Sequence, residues 1–214
     1  MKTPVKAAII VLAVIIFAAA GGTVFITASY PKAAEYAQLT APRITEKPDS
    51  RSLQAAFDGD PEAVISDAFS RLFKAYYSCK GVKKGPGQPA PIARYEGLTG
   101  SEESADTDSA TSASTVWKGF TAIPIPEDAE APQNPGEGVS VQTLTYGTVG
   151  EIVHFGPYEN EFETIRTLTA YIAAEGYEIC GLHEEEYIKG PGMPFVGPKN
   201  YITVIRYRVR KTTK

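Results

Sequence analysis

Residues 146–189 read YGTVGEIVHFGPYENEFETIRTLTAYIAAEGYEICGLHEEEYIK, and the punctuation of this stretch decides the fold. The β-branched and aromatic residues of 148–155 predict a strand. Gly156-Pro157 then turns the chain, with proline where a starting helix needs no backbone donor. Phe162, Ile165, Leu168 and Ile172 recur at offsets of three and four, the spacing of one buried helix face. Glu159 and Glu161 in the first turn suit the positive end of the helix dipole. Gly176 is a natural stop, and a second strand follows, carrying Glu185 and Tyr187. Such a unit cannot bury both of its faces alone, so it calls for a second copy.

That copy lies upstream. Asp58-Gly59-Asp60-Pro61-Glu62 opens a helix whose apolar face is Ile65, Phe69, Leu72 and Tyr76, and Gly81 ends it as Gly176 ends the other. Gly59 matches Gly156, Ala75-Tyr76 matches Ala170-Tyr171, and Arg94-Tyr95 lies where Glu186-Tyr187 does. Strands are expected at 51–57, 91–95, 115–125 and 201–209, the last rich in β-branched and aromatic residues. The expected fold is α+β: duplicated β-α-β-β units, an antiparallel sheet with two helices on one face, and a central groove between the repeats.

Around this domain, 51–212, the chain changes character. Residues 1–30 hold Lys2 and Lys6 and then an uncharged apolar run over 7–30, long enough for the roughly 20 residues of a bilayer-spanning helix. An uncleaved transmembrane anchor is expected ahead of a cleaved signal, because apolar character resumes at Val24-Phe25-Ile26 after the small residues Ala18-Ala19-Ala20-Gly21. The nearest positive charges precede the run, so the domain is expected outside the cytoplasm at a cell membrane crossed once. Residues 31–50 are polar and punctuated by proline and read as a tether. Residues 99–115, TGSEESADTDSATSAST, are too polar to build a core and read as a disordered insertion. A Pro- and Gly-rich loop at 127–138 joins the two halves.

The 214 residues, 43% of them hydrophobic, suit one sizeable domain with extras, and the net charge of −4 gives no footprint for direct nucleic-acid binding. Cys79 and Cys180, the two cysteines, allow either a disulfide outside the cytoplasm or two separate thiols.

His154-Phe155-Gly156-Pro157-Tyr158, followed by the helix, Gly176-Tyr177 and Glu185-Glu186-Tyr187, resembles the GyrI-like small-molecule-binding domain. That domain is also the effector-binding half of multidrug-responsive transcription activators. The resemblance covers 51–210, more closely in the second half. It implies two units in pseudo-symmetry around a concave groove for flat, apolar and often cationic ligands, with Glu185 as the central acidic group. The chain departs from the regulators in having no helix-turn-helix, and in its anchor and its insertion.

The residues themselves point the same way. On a strand, Glu185 and Tyr187 share one face while Glu184, Glu186 and Ile188 share the other. A partly buried Glu185 facing an aromatic cleft would attract a cation, with a raised pKa until it found one; the alternative is a solvated acidic run. Ligand-contacting rings are sought among Tyr76, Trp117, Phe120, Tyr158, Phe195 and Tyr201, with Tyr187 as a hydrogen-bond partner. The candidate ligand-binding set is Glu185, Tyr187, Trp117, Tyr158, Tyr76 and Phe195. His154 is read as part of the turn scaffold and His183 as exposed. No metal site, cofactor or catalytic residue is expected. The function expected is a membrane-anchored binding module for small apolar or cationic ligands. The alternatives are a hydrolase of electrophilic small molecules, which the resemblance also implies, using Glu185 with Tyr187 or Tyr158, and a domain that binds a protein partner.

Overall fold

The computed structural model describes residues 30–96 and 117–213. The expected anchor at 1–30, save Tyr30, and the expected insertion at 99–115 lie outside the described residues. Among the described residues no helix is long and apolar enough to cross a membrane.

The first repeat runs β2 (Ser50–Gly59), α1 (Pro61–Ser78), β3 (Ile92–Tyr95) and β4 (Trp117–Pro124). The second runs β6 (Gly147–Phe155), α2 (Glu161–Ala174), β7 (Tyr177–Lys189) and β8 (Ile202–Lys211). Two further strands are β1 (Arg43–Lys47) and β5 (Val139–Leu144). All eight form one antiparallel sheet ordered β1-β6-β8-β7-β3-β4-β2-β5. In each repeat the last strand lies between the first and the second, and the repeats meet where β3 pairs with β7. Each repeat is flanked by one extra strand, so the topology is symmetric about that seam. Gly59 and Gly156, with φ of 142° and 122°, make the same strand-to-helix bend in both units, a conformation closed to residues with a Cβ.

Both helices cover the same sheet face. Ile65, Phe69, Leu72 and Tyr76 of α1 are buried as their spacing predicts, in a cluster with Leu53, Tyr95 and Tyr187. Ile165, Leu168 and Ile172 of α2 pack on Ile152, Ile205 and Tyr207. Full burial of each such aliphatic side chain contributes about 1.5–3 kcal/mol. Phe162, expected on this buried face, is 41% exposed, and Glu161 is buried in its place. The stripe set by Ile165, Leu168 and Ile172 extends four residues back to Glu161, one position before Phe162.

The tether expected over 31–50 is folded instead. A 3-10 turn, Ala33–Leu39, lays Leu39 on Val153, Ile188, Ile202 and Val204 across the reverse sheet face. Strand β1 then pairs with β6. Apolar side chains on that face would otherwise meet water, so the segment closes part of the second layer. The strand β5 was not expected at all, and it pairs with β2 from Ser50↔Leu144 to Ala55↔Val139. Cys79 is buried and Cys180 half-buried, and both thiols are free.

The pairing of β3 with β4 tolerates no extra atom at Gly119. A Cβ at Gly119 would stand 2.0 Å from the Arg94 carbonyl oxygen and 2.8 Å from Tyr95 Cα. Both neighbours are backbone, so neither can swing aside. Gly119→Ala is expected to cost about 3 kcal/mol by prying β4 from β3, read as a lower urea midpoint. An unchanged midpoint would contradict the packing.

Candidate functional site

The helix-side face of β7 presents His183, Glu185 and Tyr187 at the seam, directly between α1 and α2. Register sets Glu185 opposite Ala93, whose small side chain leaves room, and His183 opposite Tyr95. Glu185 is only 2% exposed. A carboxylate can only accept, so His183 Nε2–H donates to Glu185 Oε1 at 2.9 Å, and the Tyr95 hydroxyl donates to the same oxygen. His183 Nδ1 and the Tyr207 hydroxyl are 2.7 Å apart, which closes a buried chain from β8 to β7. Burial pushes Glu185 up, but the hydrogen bond and the charge of His183, and then the Tyr95 hydroxyl, hold it below its ordinary value. The raised pKa expected from burial alone is therefore overturned: Glu185 is an anion with its own donors.

A second carboxylate shares the site. Glu161, at the start of α2, is 6% exposed, and its Oε1 has no hydrogen-bond partner among the described residues. Burial and then the charge of Glu185 push Glu161 well above the usual carboxylate range, against a weaker pull from Thr203. The Thr203 hydroxyl stands nearby but meets no hydrogen-bond geometry. Two carboxylates in one dry site divide the labour, one ionised and one protonated. Among the described residues the hydroxyls of Tyr158 and Tyr187 are also buried without a partner in hydrogen-bond geometry. Four buried oxygens thus converge around Glu185 with bonding capacity unused, where buried polar groups are ordinarily satisfied.

Rings wall this polar floor. Trp117 stacks on Tyr95 with centroids 4.5 Å apart. Tyr187 meets Phe69 of α1 edge-on at 5.7 Å and Tyr158 at 5.9 Å, and Tyr158 leans on Tyr201 at 5.2 Å. Glu185, Tyr187, Trp117 and Tyr158 are therefore brought together. Tyr76 is not: it is buried under α1, and its hydroxyl donates to the Lys83 carbonyl. Phe195 is 74% exposed in the loop after β7 and stacks on none of these rings. Phe120 lies on the reverse face beside Ile92 and Tyr146.

His183, expected to be exposed, is buried because α2 covers its side of β7. His154 does serve the turn. Its Nε2 donates to the Pro157 carbonyl at 3.1 Å, leaving Nδ1 to accept from the Thr164 hydroxyl at 2.9 Å, and burial lowers its pKa. Tyr95 is expected to matter through its hydroxyl. Tyr95→Phe removes a donor to an ionised carboxylate, worth about 1.5–3 kcal/mol. A depressed carboxylate contributes stability that is present above its unfolded pKa and lost as pH falls through its folded pKa. Tyr95→Phe raises that folded value, so acid unfolding, followed by circular dichroism, should begin at a higher pH; an unchanged acid limb would contradict the bond.

The reverse face carries the other two glutamates. Arg206, 6% exposed, donates to Glu151 at 2.6 Å, to Glu184 at 3.0 Å and to Glu186 at 2.5 Å. Arg43 braces Glu151, and Arg94 braces Glu184 while lying over the Tyr146 ring. A cleft of about 160 Å³ beside this network is lined by Arg94, Phe120, Tyr146, Glu184, Arg206 and Arg208 among others. It lies on the far side of the sheet from Glu185.

No protein-family profile matches the chain, and no curated protein matches it. Solved structures do. A hydrolase from Listeria innocua superposes with a TM-score of 0.59 at 16% identity, over 83% of this chain and 96% of its own. A conserved protein from Listeria innocua gives a TM-score of 0.62 at 17% identity, over 84% and 97%. The C-terminal domain of EcmrR gives 0.57 at 15% identity, over 80% and 98%. At such identities the likeness is one of fold, and that fold agrees with the GyrI-like architecture of two β-α-β-β units.

Proposed function

We propose that this chain is a binding module for small organic cations with an apolar or flat body, held between α1 and α2 at Glu185. The observation that carries this reading is the ionised, buried Glu185 ringed by Tyr95, Trp117, Tyr158 and Tyr187. A cation desolvated there gains a charge partner on the floor and ring faces on the walls, each worth about 0.5–2 kcal/mol or more. The site is closed by Tyr158 and Trp117, both half-buried, so entry requires these rings to move. The uncharged run at 7–30 would tether the module to a membrane, with the domain outside the cytoplasm. A protein partner could use the same groove by inserting a basic side chain.

Trp117 is the single tryptophan, and it stacks on the ring that touches Glu185, so its fluorescence reports the site. Titration of the full chain with benzamidinium should give a saturable change. Absence of any saturable change with organic cations would overturn the reading.

Hydrolysis is the second reading. It is favoured by the split pair of carboxylates, Glu185 ionised as base and Glu161 protonated as acid, and by a neighbour in fold described as a hydrolase. Turnover of an electrophilic small molecule that vanishes in Glu185→Gln would replace binding by catalysis.

A further inference from the structure

We propose that Glu161 is the groove's proton-exchange group, so that a cation bearing N–H donors enters as the Glu161 proton leaves to solvent. It follows that the site prefers protonated amines and amidines to quaternary ammonium ions. The inference rests on the cation-binding reading of Glu185 and names the ligand chemistry within it.

The geometry sets the preference. Glu161 Oε1, Thr203 Oγ1 and the hydroxyl oxygens of Tyr158 and Tyr187 are buried and unpartnered among the described residues. Each is an oxygen that can accept, and four neighbours of one floor are more acceptors than the two hydrogens of a single water would fill. A planar amidinium brings several N–H donors on one edge and can satisfy a carboxylate and a hydroxyl together. A quaternary ammonium brings the same charge and no donor. It would leave those oxygens dry and unpaired, at about 1–3 kcal/mol for each.

Charge balance sets the exchange. No ion pair among the described residues holds Glu161, whereas the reverse-face glutamates are all paired with arginine. The titratable groups that face Glu161 are Glu185 and Tyr187 on β7, Tyr95 on β3, Tyr158 in the turn before α2, and Tyr207 on β8. His183 and His154 lie one step further, bonded to Glu185 and to Pro157. Without a ligand, burial and the like charge of Glu185 act on Glu161, so the proton stays. An entering cation supplies the missing opposite charge to both carboxylates and releases the proton. One proton released per cation bound means that affinity rises about tenfold per pH unit while Glu161 starts protonated.

The test uses the full chain with benzamidinium and benzyltrimethylammonium, read by Trp117 fluorescence and by calorimetry in phosphate and Tris buffers at neutral pH. Benzamidinium should bind at least tenfold tighter and release close to one proton, seen as a binding heat that changes with the buffer's ionisation heat. Glu161→Gln should still bind benzamidinium, more weakly, with no proton released. Glu161→Gln should also raise Tm by about 3 °C or more. The sign follows from Glu161's raised folded pKa: its contribution is full below its unfolded value and is lost as pH rises through its folded value. The gain therefore shrinks to nothing toward pH 4. Equal or tighter binding of benzyltrimethylammonium, or no proton release from the unmutated chain, overturns the inference while leaving cation binding intact. Failure of both cations to bind overturns the binding reading as well.

Discussion

Arg206→Met should lower stability by about 3–5 kcal/mol, a fall in Tm of roughly 10 °C. The substitution keeps the aliphatic stem and removes the charge that three glutamates share. Glu151 and Glu184 are 4% and 2% exposed, so neither can turn to water without opening the sheet. Burial alone pushes Glu151 up, and Arg206 and Arg43 outweigh it to hold the carboxyl below its ordinary value. In Arg206→Met that compensation is largely gone. A depressed carboxylate loses its stabilising contribution as pH falls through its folded pKa, whereas an unpaired one gains by taking a proton. The gap between variant and parent should therefore close as pH drops below about 4.3, the ordinary glutamate value. Arg208→Met is the control, since Arg208 is exposed and its hydrogen bond to the Cys180 carbonyl is long, at 3.4 Å. It should change stability by no more than about 0.5 kcal/mol. Equal effects of the two substitutions would mean that the buried network contributes nothing.

Glu185→Gln should weaken benzamidinium binding about 100-fold, close to 3 kcal/mol. Glutamine keeps the volume of the side chain, so the loss reads charge rather than packing. Its amide oxygen has two lone pairs and can still accept from His183 and Tyr95, which donate to one carboxylate oxygen, but as a neutral and weaker acceptor. Keeping both bonds, though weakened, limits the cost in stability to about 1–2 kcal/mol. A folded Glu185→Gln that binds as tightly as the parent would move the ligand away from β7.

The repeat was legible because its signals are local. Glycines end helices, proline starts them, and offsets of three and four mark the faces that Ile65, Phe69, Ile165 and Leu168 bury. Strands β1 and β5 left no such mark. They sit at the sheet edges with one partner each, and most of the β5 side chains are exposed, so alternation never develops. In the site, Glu185 and Tyr187 were visible from strand alternation and the resemblance. His183 was misread because Glu184, Glu185 and Glu186 make its surroundings look solvated. The burial of Glu184 depends on Arg206 and Arg94, which lie 22 and 90 residues from it and reach it only through sheet pairing. Glu161 suits the helix dipole by its position in the first turn, but its place four residues before Ile165 also puts it on the buried stripe. Tyr76 and Phe195 were chosen for ring chemistry, and burial under α1 and exposure in a loop set them apart from Glu185.

The most direct test of the central claim is a crystal structure of the chain with benzamidinium. The amidinium should lie between α1 and α2, within hydrogen-bond distance of the Glu185 carboxylate and against the rings of Trp117 or Tyr158. Benzamidinium lodged instead beside Glu184 in the cleft on the reverse face, with Glu185 still held by His183 and Tyr95, would contradict it.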